Sequence, residues 1–303
     1  MTQPIEELNS RFSLNGAVRF ETGENPLVRA TIEAPSASAT IYLHGAHVAQ
    51  YQPREQAPLL FMSSRSFFEP FKPIRGGVPV IFPWFGPRDD ADRTQMHGLV
   101  RTLAWEVRDA VKRADGVDLV LGLKSSEATR SVWPFDFDAT FTLGVGPVLK
   151  MTLAVRNMSA EPFSFEEGLH TYFAVSDVRE ISVHGLRGHW YRDKNISPDY
   201  QLDTSDTITF PNRTDRLYRD ARGICTIKDP GMNREIVVAK ENSATTVVWN
   251  PGEMAPGEFA DLASENWPRF VCVETCNARH NAYTLGAGQT HSMSAMIQAR
   301  AMQ

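Results

Sequence analysis

Cysteine is scarce in this chain. Only Cys225, Cys272 and Cys276 occur in 303 residues. An odd count in a long chain argues against a disulfide framework and for free thiols in a reducing compartment. Cys272 and Cys276 have the spacing of half a metal site, but no second cysteine pair exists, so no metal is expected. Long apolar runs are missing too, and none approaches the roughly 20 residues that cross a bilayer. The opening MTQPIEELNSRFS has neither the basic nor the apolar region of a secretory leader, and a cytoplasmic location is expected. There is no excess of positive charge. The net charge is -5 with both signs spread along the chain, so neither a nucleic acid nor a membrane surface is an expected partner. No GxxxxGK[ST] and no GxGxxG follows a strand-like run, so no nucleotide cofactor is implied.

Helical patterning is also sparse. IEELNSRF and DLASENW each have the length of one or two turns, and no helix–strand alternation of a Rossmann or TIM architecture appears. Short alternating runs dominate instead: ATIYLHGAHVAQYQP, AWEVRDAV, GVDLVLGL, FDATFTLGVG, VLKMTLAVRN, EISVHGL, REIVVAK, ATTVVWN and RFVCVETC. They recur about every ten residues between Gly, Pro, Asn and Asp, the pattern of an antiparallel β-sandwich or barrel. With 42% hydrophobic residues the chain can bury a sizeable core. No composition shift marks a linker, and residues 1–303 are expected to form one large all-β domain with few short helices. Residues 55–79 and 250–268 are long irregular stretches, a length that often signals function.

Within FEEGLHTYFAVSD, residues 165–177, a histidine sits in a strand-like run. Alternation puts His170 on one face with Glu166, Gly168 and Tyr172, and Gly168 leaves room for an approaching group. A hydrogen-bonded core histidine and a proton-transfer group both fit. In PRFVCVETCNARHNA, Glu274 shares a face with Phe270, Cys272 and Cys276. A carboxylate between two thiols is expected to be desolvated, which raises its pKa toward the range of a general base. An ion pair with Arg269 or Arg279 is the competing reading, weakened because odd offsets point those arginines to the other face.

KPIRGGVPVIFPWFGPR places Pro79, Pro83 and Pro87 at every fourth position, so the segment is rigid and irregular. Trp84 and Phe85 could stack on the apolar face of a ring, and Arg75 could grip a phosphate or carboxylate with its planar fork. In MHGLVRTLAWEV, read as a strand, His97 and Arg101 share a face with Leu99, Leu103 and Trp105. That face suggests a polar pocket, while a structural ion pair of Arg101 with Glu106 or Asp109 is equally open. RTDRLYRD, with Asp215, says little alone. His44, His47, His184, His189, His280 and His291 carry no functional signal.

Taken together, GAHV, KPIRGGVPVIFPWFG, HGLVR, GLHTYFAVSD, TDRLY, VVWNPG and FVCVETCN, in this order, give a chain that resembles the glucose-6-phosphate 1-epimerases, within the wider aldose 1-epimerase group. The resemblance runs from about residue 29 to residue 298. It implies a galactose-mutarotase-like supersandwich. It implies His170 as general acid and Glu274 as general base, Arg75 and Arg101 on the sugar phosphate, Asp215 on sugar hydroxyls, and His97 lining the pocket. In that group a glutamine often directly precedes the HG pair. Here the position holds Met96, with Gln95 one residue earlier, and a one-residue offset flips a strand face, so Met96 or Gln95 is left as the contact. The implied reaction is cofactor-independent interconversion of the α and β anomers of a hexose 6-phosphate, glucose 6-phosphate first. The substrate is the only implied partner, and a monomer is expected. The alternatives are an aldose 1-epimerase acting on unphosphorylated sugars and a non-catalytic sugar-phosphate-binding module. A glycosidase would call for two carboxyl groups flanking the bond.

Overall fold

The computed structural model describes residues 3–23, 25–88 and 95–302. Alternation decides the architecture. Phe137–Val145 alternates buried and half-buried side chains along all nine positions, and Leu149–Asn157 beside it follows the same rhythm. Each strand therefore offers one apolar face that must find a partner sheet. Two large sheets supply the layers. One runs, in spatial order, Thr207–Ile208, Ser182–His184, Cys225–Asp229, Arg234–Glu241, Thr290–Ala301, Leu149–Asn157, Phe137–Val145, Val117–Lys124 and Glu106–Lys112. The other runs Gln201–Leu202, Trp190–Asp193, Thr214–Arg219, Thr245–Asn250, Phe270–Asn277, Glu167–Leu169 and Val80–Ile81, with Tyr172–Ala174 also paired to Phe270–Asn277. The pairings in both sheets are antiparallel.

The core lies between them. Leu169, Phe173, Val248, Val271 and Val273 from the second sheet join Leu153, Val155, Ile236, Met293 and Ile297 from the first in one apolar cluster. A four-stranded meander, Val18–Thr22, Val28–Glu33, Ala37–Tyr42 and His47–Pro53, adds Phe20, Ile41, Val48 and Tyr51 to the same cluster. The Tyr51 hydroxyl donates to the Gly146 carbonyl at 2.8 Å and ties the meander to the first sheet. The expected large antiparallel all-β architecture with short helices is therefore present. Ile5–Phe12 is α-helical, and the DLASENW region supplies the 3-10 turn Ser264–Arg269. Glu127–Val132 is a helix that the sequence reading lacks, opened by a reciprocal Ser126–Thr129 capping box.

Two strand expectations need correction. Residues 165–177 do not form one strand. Glu167–Leu169 and Tyr172–Ala174 are separate strands, and His170 and Thr171 leave the ladder between them. The cause lies on the other edge, where the His170 amide donates to the Pro79 carbonyl at 3.0 Å and the Tyr172 amide to that of Gly77 at 2.9 Å. Pro79 has no N–H to return, so a regular ladder cannot form there. Residues 97–105 are not a strand either. His97 has φ +62° and Val100–Thr102 is a 3-10 turn.

The strand Phe270–Asn277 is buried at all eight positions. Val271 and Val273 face the core; on the other face Glu274 lines the cavity described next, flanked by Phe270, Cys272 and Cys276 in smaller apolar clusters. Val271→Ala should cost about 2–3 kcal/mol through lost apolar burial and the cavity left behind. Urea denaturation of this variant checks it, and a loss well under 1 kcal/mol would mean that the two sheets repack freely around the site-bearing strand.

Candidate active site

Cross-strand register builds the site in two parallel rows. Leu169 opposes Thr275 and Tyr172 opposes Cys272, so the same register carries through the break and sets His170 opposite Glu274. Glu274 opposes Val247, which opposes Leu217. The adjacent row, two residues along, is Tyr172, Cys272, Trp249 and Asp215. Residues two apart on neighbouring strands share a sheet face. One face of the second sheet thus gathers an imidazole, two carboxyl groups and an indole.

The irregular segments close the cavity over this face. It has a volume of about 300 Å³, and its lining includes Arg75, Phe85, Met96, His97, Arg101, His170, Lys194, Asp215, Trp249, Phe259 and Glu274. Arg75 comes from the irregular stretch 55–79. Gly76 and Gly77 have φ of +102° and +57°, and a Cβ would lie 2.5 Å from the Phe61 carbonyl oxygen at Gly76 and 2.3 Å from that of Val48 at Gly77. Only glycine lets this backbone lie so flat on its neighbours. The Arg75 side chain is then fixed three ways. Its Nε lies 3.1 Å from Asp261 Oδ2, its Nη1 donates to the Tyr172 hydroxyl at 3.1 Å, and it sits over the Phe259 ring. Phe259 and Asp261 come from the second irregular stretch, so both long loops converge on one arginine. Burial disfavours the charged guanidinium, but Tyr172 and Asp261 outweigh it and raise the pKa above the usual arginine value.

His170 and Glu274 meet directly, with Nε2 to Oε1 at 3.3 Å. The imidazole lies flat on the Tyr172 ring at 4.8 Å and 11°, and His97 and Trp249 meet it edge-on. Burial, reinforced by the charges of Arg75 and Arg101, lowers its pKa to about 3. Burial, with Asp215 adding to it, raises the Glu274 carboxyl well above its usual range. Cys276 Sγ lies 3.9 Å from Glu274 Oε2, and its thiol is itself held protonated by burial. Both shifts favour the uncharged forms of the pair, a neutral imidazole beside a protonated carboxyl. Neither Arg269 nor Arg279 neutralises Glu274. Arg269 donates to the Ser176 carbonyl, and the Arg279 amide donates to Glu166.

The other site expectations divide. Arg101, His97, Asp215 and Met96 all line the cavity, although 97–105 is not the strand expected. Arg101 donates from Nη2 to the Met96 carbonyl at 2.6 Å rather than pairing with Glu106 or Asp109. His97 Nδ1 accepts from the Gly86 amide at 3.2 Å, which makes Nε2 the protonated nitrogen of the neutral ring. Trp84 is not among the lining residues. Its Nε1 donates to the Gln95 carbonyl, so Trp84 and Gln95 brace the segment while Phe85 and Met96 face the cavity. Lys194, Trp249 and Phe259 were missed. Lys194 Nζ lies 3.3 Å from Asp215 Oδ2. Only Trp249, in the strand pattern ATTVVWN, left a periodic signal in the sequence. The glutamates beside His170 are structural. Glu166 accepts from the Phe85 amide at 2.7 Å, and buried Glu167 meets His291 Nε2 at 2.8 Å. His291 is thus buried and ion-paired. Among the described residues, no three His, Cys, Asp or Glu side chains are grouped to hold a metal ion, and no helix is long and apolar enough to cross a membrane.

A two-sheet antiparallel fold in which a buried histidine meets a buried glutamate in a cavity on one sheet fits a sugar epimerase. Comparison with known proteins makes that specific: the aldose 1-epimerase family profile matches residues 29–298, and the chain belongs to this family. It is 35% identical over 247 residues, 82% of each chain, to a protein of Escherichia coli K12 provisionally named glucose-6-phosphate 1-epimerase. It is 32% identical to one of the same provisional name from Cenchrus ciliaris, covering 80% of this chain and 75% of that one. Among solved structures it superimposes on a provisionally named mutarotase, YeaD, from Salmonella typhimurium with a TM-score of 0.89, at 29% identity over 99% of both chains.

The buried histidine has a consequence for stability. Burial pushes its folded pKa down to about 3 from the ordinary histidine value of 6.5, so the unfolded chain binds a proton first as pH falls. Above about pH 6.5 the effect is absent, and it grows downward toward pH 3 at up to about 1.4 kcal/mol per pH unit. His170→Asn should therefore lose up to about 2 kcal/mol less than the wild type between pH 7 and pH 5. Urea midpoints at the two pH values measure this, and parallel losses would show that His170 charges freely in the fold.

Proposed function

We propose that this protein interconverts the α and β anomers of a hexose 6-phosphate, with glucose 6-phosphate as the first candidate. The observation that carries this reading is the His170–Glu274 pair at 3.3 Å in the same cavity as Arg75 and Arg101. Ring opening of an aldose needs one base at the anomeric hydroxyl and one acid at the ring oxygen, and no redox partner. Glu274 as carboxylate takes the proton from O1. His170 as imidazolium gives its proton to O5. The C1–O5 bond breaks and C1 becomes an aldehyde carbon.

The pair has now exchanged its single proton from histidine to glutamate. Rotation about C1–C2 presents the other carbonyl face. O5 attacks C1, its hydroxyl proton returns to His170, and Glu274 reprotonates O1. Protons and electrons balance over the cycle. Burial lowers the imidazole pKa and raises that of the carboxyl, so the net passage of the proton from imidazolium to carboxylate during ring opening is downhill. The two cationic guanidinium groups suit a phosphate dianion. They hold it away from the reacting bond and so orient C1 against the pair. Trp249 and Phe85 provide apolar walls for a pyranose ring, and Asp215 and His97 provide an acceptor and a donor for its hydroxyls.

NMR exchange spectroscopy on the glucose 6-phosphate anomers tests the reading. The wild type should accelerate the exchange, and His170→Ala or Glu274→Ala should each reduce the enzymatic rate by about 10²–10⁴-fold, the usual contribution of a general acid or base. A folded His170→Ala variant at full rate would sink the assignment. For the phosphate assignment, Arg75→Ala should raise KM for the sugar phosphate by about tenfold or more, the loss of one charged hydrogen bond, and barely change it for the free sugar. Equal effects on both sugars would remove the arginine from the phosphate.

A further inference from the structure

Among the described residues three cations line the cavity, and their compensation is unequal. Arg75 has Asp261 at 3.1 Å and Lys194 has Asp215 at 3.3 Å. Among the described residues Arg101 has no carboxylate. It spends one N–H on the Met96 carbonyl, and its buried Nε has no hydrogen-bond partner. Burial and the neighbouring Arg75 lower its pKa to about 10, which still leaves it charged at neutral pH. A half-buried guanidinium with no carboxylate at ion-pair distance, beside a second guanidinium in the same cavity, suits an anion.

The position of these charges relative to the proton pair is also unequal. Arg75 is hydrogen-bonded to the Tyr172 hydroxyl, and the Tyr172 ring lies flat against the His170 ring. The two arginines act on His170. Asp215, in the adjacent row and two strands from Glu274, acts on the carboxyl, and Lys194, paired with Asp215, acts on both members of the pair. A dianion at the arginines therefore offsets the part of the positive field at the imidazole that they supply, next to the ring that Tyr172 links to Arg75. Its arrival moves the single proton from Glu274 to His170, giving the carboxylate base and imidazolium acid that ring opening uses.

We propose that the arginine pocket is an activating anion site: a tetrahedral dianion seated at Arg75 and Arg101 switches the His170–Glu274 pair into its working form, and the same dianion supplied separately accelerates the anomer exchange of an unphosphorylated aldose. This rests on the proposed function and extends it. The phosphate of the natural substrate is then an activator as well as a handle, and anion-dependent mutarotation of free hexoses is a second activity of the cavity. The dianion makes and breaks no bond, and the proton transfers are those already given.

The experiment uses the full chain, free glucose and sulfate, a dianion too weakly basic to catalyse mutarotation in water. Exchange of the glucose anomers is followed by NMR with increasing sulfate at constant ionic strength, with the enzyme-free rate subtracted. Sulfate should raise the enzymatic rate on glucose by about tenfold or more, one pKa unit's worth of proton placement, in a saturable manner. The same sulfate should compete with glucose 6-phosphate, and Arg101→Ala should lose the activation. If sulfate inhibits glucose 6-phosphate turnover but leaves the glucose rate unchanged, the site is only a handle and the proposal falls while the proposed function stands. Failure of sulfate to compete at all overturns the proposal in the same way. If glucose 6-phosphate exchange is not accelerated by the wild type, the proposed function falls, and the activation proposal with it.

Discussion

A carboxyl group buried in the middle of a sheet governs this structure. Glu274 sits in a strand whose every side chain is buried, and an isolated ionised carboxylate in such a place would cost several kcal/mol. Burial accordingly holds its pKa well above the usual range, and His170 stands 3.3 Å away. Much else follows. The strand Phe270–Asn277 must be covered on both faces, by the core on one side and by the two irregular stretches on the other. The covering loops must be rigid, which explains the prolines and the close-packed Gly76 and Gly77. The same burial that shifts both pKa values also strengthens every charge aimed into the cavity.

The two rows across the second sheet show how an all-β scaffold makes a site with little dedicated machinery. A strand fixes side chains at a spacing of two, and the ladder carries that spacing sideways. His170, Glu274 and Asp215 are far apart in sequence but fall on adjacent rows of one face. Strand register sets His170 against Glu274, and loops bring Arg75 and Arg101 to the same cavity. For the proposed reaction this division is apt, since proton transfer tolerates little positional error while a dianion is attracted over a longer range. The ladder break at His170 belongs to the same design. By bonding to the segment 77–79, the backbone there ties the imidazole to the loop that carries Arg75.

Much of this was legible in the sequence, for definite reasons. Period-two alternation reports burial of one strand face, so strands such as Val117–Lys124, Phe137–Val145, Leu149–Asn157 and Phe270–Asn277 could be found from their pattern, while Val18–Thr22, Val28–Glu33, Thr214–Arg219 and the long Thr290–Ala301 were not. The FVCVETC run could be read as placing Glu274 among thiols, because alternation is a local property. The scarcity of helix and charge signals excluded whole classes of fold and partner. The motif order from KPIRGG to FVCVETCN identified the family, and the profile match over residues 29–298 agrees with it.

Other features were decided only by the folded chain. The sequence alone could not show that His170 faces Glu274, because that depends on which strands pair and in which register. It suggested strands at 165–177 and 97–105, where hydrogen bonds to an irregular neighbour and a left-handed His97 prevail over local propensity. It placed Trp84 at the ligand, but its indole is engaged by Gln95 and Trp249 stands there instead. Lys194, Phe259 and Asp261 sit in loops with no periodicity to reveal them, and His291 looked like a surface residue until Glu167 packed against it. What the sequence determined by itself is what depends on neighbours a few residues away: strand periodicity, turns, and the residue types available for proton transfer and anion binding. Tertiary structure decided which of those residues meet, and with it the electrostatics of the cavity, because distance and desolvation are set by the whole fold.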